Sequence, residues 1–115
     1  MNLFKKTKAT KVVLREERSD DNYRFLSAEL KDNGDLVFEG QDLGTDVKLA
    51  FGASEYEWYW TINSKDVPLF QKALGIKGDT ISIIKKKFSK ENCIDIKPFM
   101  ERNNIPFENW SRIGD

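Results

Sequence analysis

Glu55-Tyr56-Glu57-Trp58-Tyr59-Trp60-Thr61-Ile62 is the stretch whose reading decides the fold. Side chains alternate across a β-strand, so one face carries Tyr56, Trp58 and Trp60. The other face carries Glu55, Glu57 and Tyr59. An aromatic face and an acidic face on one ribbon predict a half-buried strand, with the rings turned to a core and the carboxylates to water. Tyr59 shares the wet face, and exposed tyrosine is favoured at protein interfaces. Tyr56, Trp58 and Trp60 are therefore expected in the core.

Three further strands lie upstream. Asp32-Asn33-Gly34-Asp35 is the clearest turn, because Asn and Gly tolerate positive φ. Residues 23–40 around it predict a hairpin. Val12-Val13-Leu14 opens an earlier strand over residues 11–18. Gly40-Gln41-Asp42-Leu43-Gly44 reads as a glycine-bracketed loop, and residues 45–52 fit either a short helix or an irregular crossing.

The period then changes. Val67, Phe70 and Leu74 recur at helical spacing. Asn63 or Ser64 is placed to cap, Pro68 falls in the first turn, and Gly75 stands at the stop. Asp79 or Thr80 caps a second helix, with Ile81, Ile84 and Phe88 inward and Lys85, Lys86 and Lys87 outward. A third helix is expected over about 94–103, and the aromatic tail 107–113 is expected to dock on the core. The pattern predicts one α+β domain over 1–115. It comprises an antiparallel sheet of four to five strands followed by two to three helices on one face. Residues 1–10 are expected to be flexible.

The 39% apolar and 33% charged content fits a soluble, globular chain with enough core for one domain. Net charge is zero but unevenly spread. Residues 1–15 hold five bases and no acid, whereas residues 16–57 hold twelve acids against four bases. Such asymmetry makes a local field on a neutral protein. Histidine is absent, which removes the commonest general base, metal ligand and nucleophile partner. The single cysteine, Cys93, excludes an internal disulfide and reads as a small buried apolar residue. There is no apolar run of membrane-spanning length and no signal-peptide h-region, so the expected address is the cytoplasm. No metal, cofactor or catalytic group is expected.

The acidic set Glu39, Asp42, Asp46, Glu55 and Glu57 has two readings. The plainer one is a solvated sheet face. The functional one joins them with Tyr59 as a partner-binding surface for a basic protein, since charge complementarity speeds and selects association. Lys85 to Lys87 likewise read first as a solvated helix face. Nucleic-acid binding through that helix is an alternative that needs more than three lysines. Base stacking on the tryptophans is disfavoured by the flanking glutamates. A histidine-free enzyme using the carboxylates with Tyr59 and Arg112 is a second alternative. Gly40 and Gly44 lack the Lys-Ser/Thr of a phosphate loop. Arg112, beside Trp110, reads as a structural clamp that pins the tail by pairing with Asp42 or Glu55.

Three stretches carry a resemblance. Gly40-Gln41-Asp42-Leu43-Gly44, Glu55 to Thr61, and Ile105-Pro106-Phe107 followed by Trp110-Ser111-Arg112-Ile113-Gly114-Asp115 resemble a family of small, mostly uncharacterised bacterial proteins. The likeness runs from about Leu26 to the C-terminus. It implies no catalytic site. By analogy with other small acidic α+β proteins, it implies an immunity protein that neutralises a bacterial toxin, such as a nuclease. Such a protein covers a basic surface of its target.

Overall fold

In the computed structural model, which describes residues 10–75 and 78–114, the strand built on Glu55–Ile62 lies between two neighbours in a five-stranded antiparallel sheet. The elements in chain order are β1 (Lys11–Ser19), β2 (Asn22–Leu30), β3 (Leu36–Gly44), α1 (Thr45–Phe51) and β4 (Glu55–Ile62). There follow α2 (Val67–Leu74), α3 (Thr80–Phe88), a 3-10 segment (Lys90–Asp95), α4 (Ile96–Arg102) and β5 (Glu108–Gly114). Sheet order equals chain order, β1-β2-β3-β4-β5. The fold is α+β, as the change of period predicts.

The Asn33-Gly34 turn sets the register. Gly34 sits at φ 93° and donates its N–H to the Lys31 carbonyl, while the Asn33 side chain accepts from the Asp35 N–H. Leu30 then falls opposite Leu36, Ala28 opposite Phe38 and Arg24 opposite Asp42. Asp35 also accepts from the Ser64 N–H at 2.8 Å, which ties the hairpin to the loop before α2.

Alternation does the rest. Leu26, Ala28, Leu36, Phe38 and Ile62 point to one face, and all are buried. The buried apolar residues of α2, α3 and α4 belong to the same cluster, including Phe70, Ile84 and Met100, so the helix layer lies on that face. Phe38 is its centre, with the rings of Trp60 and Phe70 at 6.3 and 6.0 Å. Full burial of each such aromatic stabilises by roughly 1.5–3 kcal/mol.

Several expectations need correction. Gly40 to Gly44 is not a loop but the second half of β3. The cause is contact: Gly40 is opposite Trp58, and a Cβ there would meet the indole at 2.0 Å, so only glycine lets the ring lie on the strand. The strand ends at Gly44, whose φ of 118° turns the chain into α1. Residues 45–51 are helical. The cap position of α2 is Asp66, not Asn63 or Ser64, though the Asn63 carbonyl accepts from the Asp66 and Val67 N–H groups. Asp79 does cap α3, accepting from the Ser82 N–H at 3.0 Å. The third helix is split into the 3-10 segment and α4.

The tail is corrected most. Phe107 packs against the core as expected, but from Glu108 onward the tail forms β5, paired with β4 and exposed along nearly its whole length. The aromatic triplet is partly corrected. Trp58 and Trp60 pack against the core while staying partly exposed, whereas Tyr56 lies beyond it, stacked between Phe51 and Trp58. The expectation for residues 1–10 falls almost wholly outside the described residues.

Candidate partner-binding face

The face of the sheet opposite the helices is built by the other parity of each strand. Ser27, Glu39, Tyr59 and Trp110 form one row across β2 to β5. Phe25, Gln41, Glu57 and Arg112 form the next, and Tyr23, Leu43, Glu55 and Gly114 the third. Among the described residues, no helix contributes to this face.

Toward its β5 edge the Tyr59 and Trp110 rings lie with their centroids 5.4 Å apart, tilted by 50°. Trp110 remains 49% exposed, so this pair is displayed rather than buried. Partial desolvation, reinforced by the nearby Glu39 and Glu57 carboxylates, pushes the Tyr59 hydroxyl above its usual pKa. It therefore stays a neutral O–H donor well into alkaline solution. Arg112 stands directly opposite Glu57, yet its guanidinium reaches diagonally to Glu55 at 2.6 Å. Glu55 is thereby paired, whereas Glu39 and Glu57 form no ion pair among the described residues.

The expected set is thus divided. Glu39, Glu55, Glu57 and Tyr59 share the open face. Asp42 does not, because it has the parity of Phe38 and Gly40 and points to the helix side. There it lies 3.8 Å from Arg24, and burial raises its pKa despite that guanidinium. Asp46 is exposed in the first turn of α1, where it borders with Asn22, Arg24 and Asp42 a cavity of about 140 Å³. Of the two residues read as a clamp, Arg112 fastens β5 to β4 through Glu55. Trp110 leans on Tyr59 and is half in water.

Sequence reasoning passed over Arg15 and Arg24. Both border a second cavity of about 200 Å³ on the helix side, with Asp42, Trp58 and Cys93. Arg15 pairs with Glu17 at 2.8 Å, beside a β-bulge that turns both Leu14 and Arg15 toward that side. Arg24 was findable, because counting back from the Asn33-Gly34 turn sets it opposite Asp42. Cys93 is 3% exposed, and burial pushes its thiol pKa up. The Trp58 indole N–H, pressed onto Gly40 and flanked by Tyr56 and Trp60, is buried without an acceptor among the described residues.

Lys85, Lys86 and Lys87 are exposed on α3, in the helix layer and away from the acidic face. Among the described residues, no cluster of acids and Cys93 is arranged to hold a metal ion, and no helix is long and apolar enough to cross a membrane. The open face offers display without convergence: two rings, two carboxylates in no ion pair among the described residues and one hydroxyl, facing outward over three strands. No family model, curated protein or solved structure matches this chain.

Proposed function

We propose that this chain is a non-enzymatic protein-binding module whose open sheet face receives a basic surface of another protein. The observation that carries it is the partly exposed Tyr59–Trp110 pair beside Glu39 and Glu57, two carboxylates that form no ion pair among the described residues although Arg112 stands opposite Glu57. Aromatic rings attract guanidinium and ammonium groups to their faces, and adjacent carboxylates complete the recognition of Arg or Lys. Aromatic anchors ringed by polar groups are the usual form of an interface hot spot. Relative to the sequence-based set, the contact residues become Glu39, Glu57, Tyr59 and Trp110, with Glu55 held back by Arg112.

The concrete form of the proposal is a cytoplasmic immunity protein for a bacterial toxin, such as a nuclease. A basic site built to hold phosphate would match this face, with carboxylates standing where phosphates bind. The resemblance of the Gly40–Gly44, Glu55–Thr61 and C-terminal stretches supports the same reading. An enzyme built on the carboxylates, Tyr59 and Arg112 is less well supported. Arg112 is already engaged by Glu55, and these groups face outward rather than around a cavity.

The test is co-purification and calorimetry with the product of the gene adjacent to the one encoding this chain. A stable complex is expected, weakened at least tenfold by E39K together with E57K. A complex indifferent to both reversals, or no complex at all, overturns the reading. Salt-sensitive retention of the chain on RNA or DNA, lost on replacing Lys85 to Lys87, would move the function to the helix layer instead.

A further inference from the structure

The two edges of the sheet differ in a way that points to a second partner. β1 is a guarded edge. Five of its nine residues are charged, a bulge interrupts it between Val13 and Arg15, and α3 and the 3-10 segment pack beside it. Bulges, charges and covering elements are how natural sheets block strand addition. β5 has little of this. Its register with β4 is continuous over seven residues, and it contains no proline. Trp110 and Ile113 are 49% and 50% exposed on its opposite faces. Its outer side presents a row of backbone N–H and C=O groups with no strand among the described residues against them.

We infer that β5 is a homodimerisation edge, pairing antiparallel with β5 of a second copy to extend the sheet across both chains. The inference goes beyond the proposed function, since it uses the edge of the sheet rather than its face. The occupant is argued from the strand's own pattern. In a two-fold antiparallel pairing with full overlap, Ser111 faces Ser111, Asn109 faces Ile113 and Glu108 faces Gly114. Trp110 then faces Arg112 twice. A guanidinium over an indole is a favourable cross-strand pair, and each copy supplies one partner to each pair. Side-chain parity is preserved, so the open faces of the two copies join into one. Slipping the register by one pleat shortens the paired stretch of β5 in both directions. One way sets Arg112 against Arg112. The other sets Arg112 against Glu108 and Trp110 against Trp110, but brings Pro106, which has no N–H to donate, opposite Gly114.

A single strand pair buries less than the roughly 1,200 Å² of a typical stable interface, so a weak, reversible dimer is expected. Sedimentation equilibrium of the full chain should show a monomer–dimer balance with Kd on the order of 10–100 μM. Trp110→Lys sets a cation against Arg112 and should raise that Kd at least tenfold with the circular dichroism unchanged. Ser111→Cys under mild oxidation should give a disulfide-linked dimer much faster than Glu108→Cys, because only Ser111 meets its own copy in this register. Cys93, being buried, does not compete. The cysteine comparison stands even if Trp110→Lys fails to fold. A chain that stays monomeric near 1 mM, or equal cross-linking at the two cysteines, overturns the inference. E39K and E57K lie on β3 and β4, so loss of partner binding in those variants with the dimer intact separates the two proposals.

Discussion

The helix-side and open faces of the sheet are cut from the same strands and differ in what they ask of each residue. On the helix side, Ala28, Leu36 and Phe38 are wholly buried, and Gly40 is held to zero side chain by the indole lying on it. On the open side, the intervening Val37, Glu39 and Gln41 are only partly buried. Shape complementarity governs the first set and charge the second. The two faces should therefore fail differently: substitutions inward should cost stability, and substitutions outward should cost recognition.

The largest effect is expected at Phe38. Phe38→Ala removes the ring at the centre of the core and should destabilise by about 3–5 kcal/mol, read by chemical unfolding with tryptophan fluorescence. Gly40→Ala should come next, at about 1–3 kcal/mol. Its new Cβ would meet the Trp58 indole at 2.0 Å, and that ring is hemmed in by Tyr56 and Trp60. A shift in Trp58 emission should accompany the loss. A Gly40→Ala variant of unchanged stability would mean that the indole is free to move, and would weaken the contrast.

Smaller effects are expected further from the core. Asp42 lies inward but is charged, and its raised pKa means that the folded state holds the proton better than the unfolded chain does. Stability linked to Asp42 is therefore full below the usual carboxylate pKa and is lost as pH rises through the folded-state value. Asp42→Asn should flatten that part of the stability–pH curve, with a gain at neutral pH of less than about 1 kcal/mol, offset by loss of the long Arg24 contact. Outward, Glu39→Gln with Glu57→Gln should change stability by no more than about 0.5 kcal/mol. The same pair should bring the Tyr59 titration down toward that of an ordinary tyrosine, read by absorbance at alkaline pH. A large stability loss in this double variant would show that the open face is structural after all.

How much of this was legible depends on sequence distance. The hairpin, the helical repeats at Val67–Leu74 and Ile81–Phe88 and the two-faced strand Glu55–Ile62 are local patterns, and each is found. Gly40 misled because its glycine serves a ring on the neighbouring strand, which local reading takes for a loop. Asp42 reads as a surface acid because nothing local marks its strand, and without a strand there is no parity. Trp110 was placed with the tail because nothing near Glu108–Gly114 says that this segment pairs with β4. That pairing is long-range, with Tyr59 opposite Trp110. The candidate face was therefore half readable: Glu39, Glu57 and Tyr59 from alternation, Trp110 only from the sheet.

The long excursion between β4 and β5 has a kinetic consequence. Contacts between residues far apart in sequence bear the largest loop-closure entropy and tend to form late. A folding intermediate with β1 to β4 paired would show Tyr59 and the two carboxylates but not the indole beside them. Such an intermediate would bind a basic partner weakly and gain affinity only when β5 closes. Capture of a partner would then report that the chain has finished folding, and the partner, by holding Trp110 in place, would slow the unzipping of that last strand.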